Sequence, residues 1–238
     1  MSHFETALAE AKRIENEQPR LLAIAKATND LAWLRHNLGQ TDEAREKYTQ
    51  ALEAFQKLEP PPLELIATVQ FSLGPLLFDA GQRAAGLDMV FQSLKTRRDL
   101  HGDRHEDVID SHQQLGSMLL QAQQFRDARE HFDEARRIAE LLFGPQHLRV
   151  AEVWGHLAHL AEVQNDYPRM LDAAQRRLEL LRAAPAVPRD DLAHSWNAVG
   201  IAKYQLGKHR DAADAFIAAR ENWLNTVAKF FQADAMVG

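Results

Sequence analysis

Two groups of residues in this chain have the types and spacing for chemistry at a metal ion. His105 and Glu106 are adjacent, and His112 follows, in the stretch HEDVIDSHQQLGSMLLQAQQFRDAREHFDEA. A zinc-protease helix needs a second His four residues after the first, and Ile109 stands there. His156 and His159 lie three apart, on one face of a helix, with Glu152 and Glu162 nearby. These are the donors of a weak divalent-metal site, and their titration near neutrality would alter the binding of a charged ligand. Such residues also recur along exposed helices, so no metal and no other cofactor is assigned from them. The chain has no Cys, which removes thiolate catalysis, disulfides and Cys-ligated zinc. It has no Gly-rich phosphate loop and no G-x-S-x-G elbow. The expectation is a protein that binds rather than catalyses.

The elements that carry these residues are helices. Ala, Leu, Gln, Glu and Arg are abundant, and they suit helices. The balance of 45% hydrophobic and 26% charged residues is that of a folded soluble chain. A net charge of -6 argues against a broad nucleic-acid surface. No apolar run approaches the ~20 residues that span a bilayer. The segment MSHFETALAEAKRIENEQPR is charged throughout, so export is not expected and a cytoplasmic location is.

A repeat organises the helices. Steps of 42 residues connect Leu31-Ala32, Leu73-Gly74, Leu115-Gly116, Leu157-Ala158 and Val199-Gly200 without insertion. Twelve residues past each small residue come Ala44, Gly86, Ala128, Met170 and Ala212. Four further lie Tyr48, Val90, Phe132, Ala174 and Phe216, then Ala51, Ser93, Ala135, Arg177 and Ala219. Gly39, Gly81, Gln123, Asn165 and Gly207 mark the turn inside each unit. Small residues let two antiparallel helices approach, and the bulky position fills the space beside them. Gly or Asn at the turn can take the left-handed conformation that ends a helix. A single pair cannot cover its own apolar faces, so the units must stack.

This pattern resembles the tetratricopeptide repeat (TPR). It is met best by Leu73-Gly74 with Gly81, by Leu115-Gly116 with Ala128, Phe132 and Ala135, and by Val199-Gly200 with Gly207, Ala212, Phe216 and Ala219. The 42-residue period resembles the kinesin-light-chain type of repeat. So do the junctions Leu100-His101-Gly102-Asp103-Arg104-His105 and Leu142-Phe143-Gly144-Pro145-Gln146-His147, each followed by Val, at 108 and 150. The departures are Met170, Ala174 and Arg177 in the fourth unit, where looser packing is expected, and the loss of the junction motif at 184–189.

The resemblance implies an all-α fold, a right-handed α-solenoid superhelix of about five TPR helix pairs with helical caps. Residues 1–20 would form the N-terminal cap, with a helix at 3–17. Five repeats would occupy about 21–62, 63–104, 105–146, 147–188 and 189–226, and 227–238 would be a C-terminal cap or tail. The helix pairs are expected at 21–38 and 41–57, 63–79 and 83–100, 106–122 and 125–142, 147–163 and 167–182, and 190–206 and 209–226. Pro75 falls inside one of them, where it removes a donor and favours a kink.

In such arrays the first helix of each pair lines a concave groove. The resemblance then implies a groove site of Asn29, Trp33, His36, Phe71, Phe78, Gln113, Gln114, His156, His159, Asn197 and Tyr204. The same rule turns Lys26, Asp30, Asn37, Thr68, Ser72, Pro75, Asp79, Asp110, Ser117, Leu120, Gln121, Glu152, Gly155, Glu162, Val163, His194, Ala198, Ile201 and Gln205 inward as well. Amides offer a donor and an acceptor, which suits a peptide backbone of any sequence. Trp33, Phe71, Phe78, Leu120 and Tyr204 would anchor apolar side chains. Groove carboxylates outnumber cations, so a clamp for a C-terminal carboxylate is not expected. The partner class is therefore a protein or peptide ligand, with no nucleic acid and no membrane. Two other readings stay open. One is a self-associating oligomer joined through terminal helices, where Phe230 and Phe231 either pack on Trp223 or form an adhesive edge. The other is a peptide-responsive regulator acting through a partner.

Overall fold

In a computed structural model of the protein, the described backbone comprises residues 3–187 and 189–234, and the described side chains are those of 6–7, 9–187 and 189–224. Among them there is no strand. The helices are α1 (His3–Ala11), α2 (Glu17–Asn37), α3 (Thr41–Gln56), α4 (Leu63–Asp79), α5 (Arg83–His101), α6 (Glu106–Gln121), α7 (Phe125–Phe143), α8 (Leu148–Val163), α9 (Tyr167–Ala183), α10 (Arg189–Gln205) and α11 (His209–Asp234). No described helix is long and apolar enough to cross a membrane. Contacts divide the chain into two compact units, Met1–Met118 and Leu119–Gly238. In the first, α2 packs on α3 and α4 on α5; in the second, α8 packs on α9 and α10 on α11.

The inner turns of the helix pairs share one device. Gly39, Gly81, Gln123, Asn165 and Gly207 all have positive φ, between 56° and 87°. In the first, the Gly39 N–H donates to His36 O and the Gln40 N–H to Arg35 O. The same two bonds recur at Gln123 and Gln124, which donate to Leu120 O and Leu119 O. This is the Schellman arrangement, which satisfies carbonyls left unpaired at a helix C-terminus.

The α2–α3, α4–α5 and α10–α11 pairs close around their small residues. A β-carbon added to Gly74 would run into Val90 Cγ2 and stand 2.8 Å from Gly86 O. One added to Gly200 would lie 2.6 Å from the Phe216 ring. In the first pair Ala32, Ala44, Tyr48 and Ala51 are buried in one cluster with Phe55. The bulky position of one unit thus occupies the room that the small position leaves.

Apart from shifts of one residue, three boundaries differ from the sequence expectation, and one of them is the end of α11, at Asp234 rather than 226. The N-terminal helix ends at Ala11 rather than residue 17, and α2 begins at Glu17 rather than 21. Tight turns from Arg13 N–H to Glu10 O and from Ile14 N–H to Ala11 O close α1. Asn16 is then the extended N-cap residue of α2, and Pro19 falls in that helix's first turn. A proline there costs nothing, because first-turn N–H groups have no intrahelical acceptor. α4 runs unbroken through Pro75. The Phe230 and Phe231 side chains, on which the self-association reading turned, lie outside the described residues.

Candidate ligand pocket of the second unit

The fourth repeat departs from its neighbours at four matched positions. Gly155 stands where the other units have Asn29, Phe71, Gln113 and Asn197, and Met170 replaces a Gly or Ala. Ala174 replaces the bulky residue, and Arg177 replaces a small one. The helices still pair, so the altered volumes must be accommodated between them.

The result is a cavity of about 260 Å³. From α8 come Gly155, Ala158, His159 and Glu162; from α9 come Met170, Ala174 and Arg177. From α10 come His194, Ser195, Asn197, Ala198 and Ile201. Met170 is buried among Ala161, Ala202 and Ile201 and ties the three helices together. Its floor is apolar. An apolar cavity of about 150 Å³ is enough to hold benzene, so one aromatic or branched aliphatic side chain fits here.

The rim is polar and largely self-neutralised. Arg177 Nη2 donates to Asp191 Oδ1 at 3.0 Å, bridging α9 to α10. The guanidinium lies over Gly155, and its Nε is buried without a hydrogen bond. His159 Nδ1 lies 3.4 Å from Glu162 Oε2. His194 Nδ1 lies 2.6 Å from the Asp190 carbonyl, which only accepts, so Nδ1 carries the proton. The His194 ring meets Trp223 edge-on, centroids 5.8 Å apart. Ser195 Oγ donates to Asp191 O and is not available to a ligand through its proton.

His156 stands next to this site but does not line it. Its ring stacks on Phe132 at 5.1 Å and 7°. Burial, then the charges of Arg177 and His159, push its pKa below the usual histidine value of 6.5. The imidazole is neutral and acts as a packing group. Among the described residues, His156, His159, Glu152 and Glu162 are not gathered into a cluster of metal-ligand atoms.

The remaining groove residues are placed differently from one another. His159 and Asn197 come together on the pocket. Tyr204 is 55% exposed at the end of α10, where its ring meets His209 of α11. In the first unit Trp33 is 57% exposed, His36 is exposed and Asn29 is half-buried, its amide 3.3 Å from Asp30 Oδ1. Phe71 is half-buried beneath the Arg97 guanidinium, which lies 4.3 Å from the ring centroid. Phe78 and Gln113 are buried, and Gln114 is half-buried. Phe78 therefore offers no ring to a ligand. Its backbone faces Gly86 so closely that a β-carbon at 86 would stand 2.7 Å from the Phe78 N. Ala158, Met170, Ala174, Arg177 and Ser195 are the pocket residues that the groove reading missed. For Met170, Ala174 and Arg177 the signal was present as breaks in the repeat.

Helix pairs with glycine-type turns, small residues at the crossings and no strand among the described residues define an all-α helix-pair repeat protein. A family model described as tetratricopeptide repeat matches residues 65–140 and 111–183. Together these matches cover half of the chain, which belongs to the tetratricopeptide repeat family. The structure is similar to the crystal structure of BtubC (BKLC) from P. vanneervenii, with TM-score 0.77 and 21% identity over 95% of this chain and 93% of that one. It is similar to a putative kinesin light chain from Podosopora anserina with nearly identical TPR-like repeats, with TM-score 0.71 and 15% identity over 90% and 99% of the two chains. A Rap protein complexed with Competence and Sporulation Factor gives TM-score 0.66 and 13% identity over 94% of this chain and 60% of that one. At these identities the likeness is one of fold, an all-α repeat solenoid. No curated protein sequence matches this chain.

Proposed function

We propose that the protein is a non-catalytic scaffold that binds a protein or peptide segment, and that the pocket of α8, α9 and α10 receives one apolar side chain of that segment. Membership of the tetratricopeptide repeat family supports a protein-interaction scaffold. The observation that carries the finer reading is the cavity beside Ala174. Every other unit carries a bulkier residue at that repeat position, Tyr48, Val90, Phe132 or Phe216. Here the ligand supplies the missing side chain and Asn197 offers an amide to its backbone.

The same reading divides the chain into a cap at 1–20, five repeats across 21–226 and a tail at 227–238, in a cytoplasmic, bacterial setting. The exposed Trp33 and the half-buried Phe71 and Gln114 are candidate contacts of the first unit. The Rap protein captured with its factor shows this fold class with a bound partner, and supports the reading by analogy.

The test is selection of peptides from a random displayed library on the intact protein, with counter-screening on Ala174→Phe and Asn197→Ala. Peptides with a recurrent apolar residue should emerge and bind at least tenfold more weakly to each variant. Peptides indifferent to both substitutions would remove the pocket from the function.

A further inference from the structure

The α5–α6 and α7–α8 junctions share a backbone and differ in chemistry. Gly102 and Gly144 both turn at positive φ, 81° and 88°. A histidine then starts the next helix. His105 Nδ1 accepts from the Asp107 N–H and His147 Nδ1 from the Arg149 N–H, each at 3.2 Å. In the later junction the His147 ring stacks on Phe143, centroids 4.6 Å apart. In the earlier one His105 stacks on His101 at 4.2 Å and 20°. One repeat period separates His101 from Phe143 and Asp107 from Arg149. One junction therefore holds an apolar ring and a cation where the other holds a second imidazole and a carboxylate.

His101, His105 and Asp107 each bring a ligand atom within 4.8 Å of the other two. His105 Nδ1 and Asp107 Oδ2 are 3.4 Å apart. That is roughly the edge of a tetrahedron with metal–ligand bonds of about 2.0–2.1 Å. His101 Nε2 contacts Glu64 Oε2 at 2.8 Å. A carboxylate on the second ring nitrogen is the partner that metal-bound histidines commonly have, because it fixes the tautomer and orients the ring. The same His105 Nδ1 accepts the capping N–H of Asp107, so a bound ion would take that lone pair in place of the cap. The surrounding charge also suits a cation. Glu64, Asp107 and Asp110 face this corner, and all three act on the Arg97 guanidinium. Arg97 is itself held over Phe71 and against Asp107 O and Ser111 Oγ. Arg98, on the last turn of α5, is paired with Asp103 at 2.6 Å.

We propose that His101, His105 and Asp107 form a binding site for a divalent cation of the zinc class, with Glu64 as the residue that orients His101. Nitrogen and carboxylate donors in this number suit Zn²⁺, and leave a position for water or a further ligand. The bound ion would clamp the end of α5 to the start of α6. The His105-Glu106-His112 combination is not the site. His112 is buried on α6, and the partner of His105 is a histidine from the preceding helix.

The test is calorimetric titration of the intact, tag-free protein with Zn²⁺. One ion per chain should bind and raise the unfolding temperature by mass action. His101→Phe recreates the aromatic stack of Phe143 and His147, so it should fold normally and bind at least tenfold more weakly. Asp107→Asn, which keeps both rings, should weaken binding similarly, and Glu64→Gln by about tenfold. Failure of the wild-type chain to bind Zn²⁺, or binding of equal affinity in His101→Phe and Asp107→Asn, overturns the proposal.

Discussion

The Arg177 guanidinium lies across Gly155, so that a β-carbon at 155 would stand 3.3 Å from Nε and 3.4 Å from Cζ. The pairing is specific to the fourth repeat. The other units carry Ala51, Ser93, Ala135 and Ala219 at the place of Arg177, and a larger residue at the place of Gly155. The same side chain lines the neighbouring cavity formed with Leu148, Glu152, Leu181 and Val187. Arg177 thus borders both the cavity of α8, α9 and α10 and the α9–α10 junction.

Gly155 and Gly74 should respond differently to alanine. At Gly155 the obstructing group is the end of a flexible side chain, which can swing aside. At Gly74 the obstruction includes the Gly86 carbonyl, and backbone cannot move without parting the helices. Gly74→Ala should destabilise by about 1–3 kcal/mol, as overpacking does. Gly155→Ala should cost less than about 1 kcal/mol, the range of an exchange without backbone strain. Denaturant midpoints of the two variants give the comparison, and equal losses would contradict the geometry.

Filling the cavity from within should separate folding from binding. Tyr48 is buried in the same cluster as Ala32 in the first pair, so a ring beside an alanine is already accommodated once in this fold. Ala174→Phe places a ring beside Ala158 in the same relation. The melting temperature should hold or rise, because buried apolar area is gained at about 25 cal/mol per Å² without a new crossing geometry. A melting temperature lowered by several degrees would show that the cavity is not free space.

The turn before α7 carries a local cost that glycine would remove. Gln123 has φ 61°, where a β-carbon crowds the following carbonyl. Gln123→Gly should stabilise by about 0.5–1 kcal/mol, the left-handed penalty less the added entropy of glycine in the unfolded chain. The same replacement at Gln124, which lies one residue past the left-handed position, should give no gain. Chemical denaturation of both variants checks the difference.

Acid should weaken the second unit through His156. Its folded pKa is depressed below 6.5 by burial and by Arg177 and His159. Between the depressed value and 6.5 the unfolded chain binds more protons than the folded one. Stability is therefore fully present above pH 6.5 and is lost as pH falls through the folded pKa. His131, also depressed by burial, contributes in the same direction. His156→Phe keeps a ring against Phe132 and removes the proton site. Its melting temperature should decline less than wild type between pH 7 and 5, and parallel curves would refute the assignment.

The repeat was legible because it is written in local residue sizes. Ala or Gly at the crossings, a bulky residue four positions beyond a second small one, and Gly or Asn at the turn each act within one helix pair. The left-handed conformation of Gly39, Gly81, Gln123, Asn165 and Gly207 follows from those constraints, including at Gln123, where composition alone would not suggest it. The limits of α1 were less legible. An amphipathic face runs on to Ile14, but the tight turns after Ala11 and the start of α2 at Glu17 interrupt it.

The sequence by itself determined the helix pairs, their turns and the place where the fourth unit departs from the others, because periodicity and side-chain volume act over a few residues. Tertiary structure decided what those departures become. A missing ring at Ala174 opens a cavity only because α8, α9 and α10 stay packed around Met170. Phe78 is buried on α4, with its backbone N close against Gly86 of α5. His101 meets His105 and Asp107 because Gly102 turns the chain back between two helices. Distances of this kind depend on groups that come from different elements, and no spacing along one strand of text contains them.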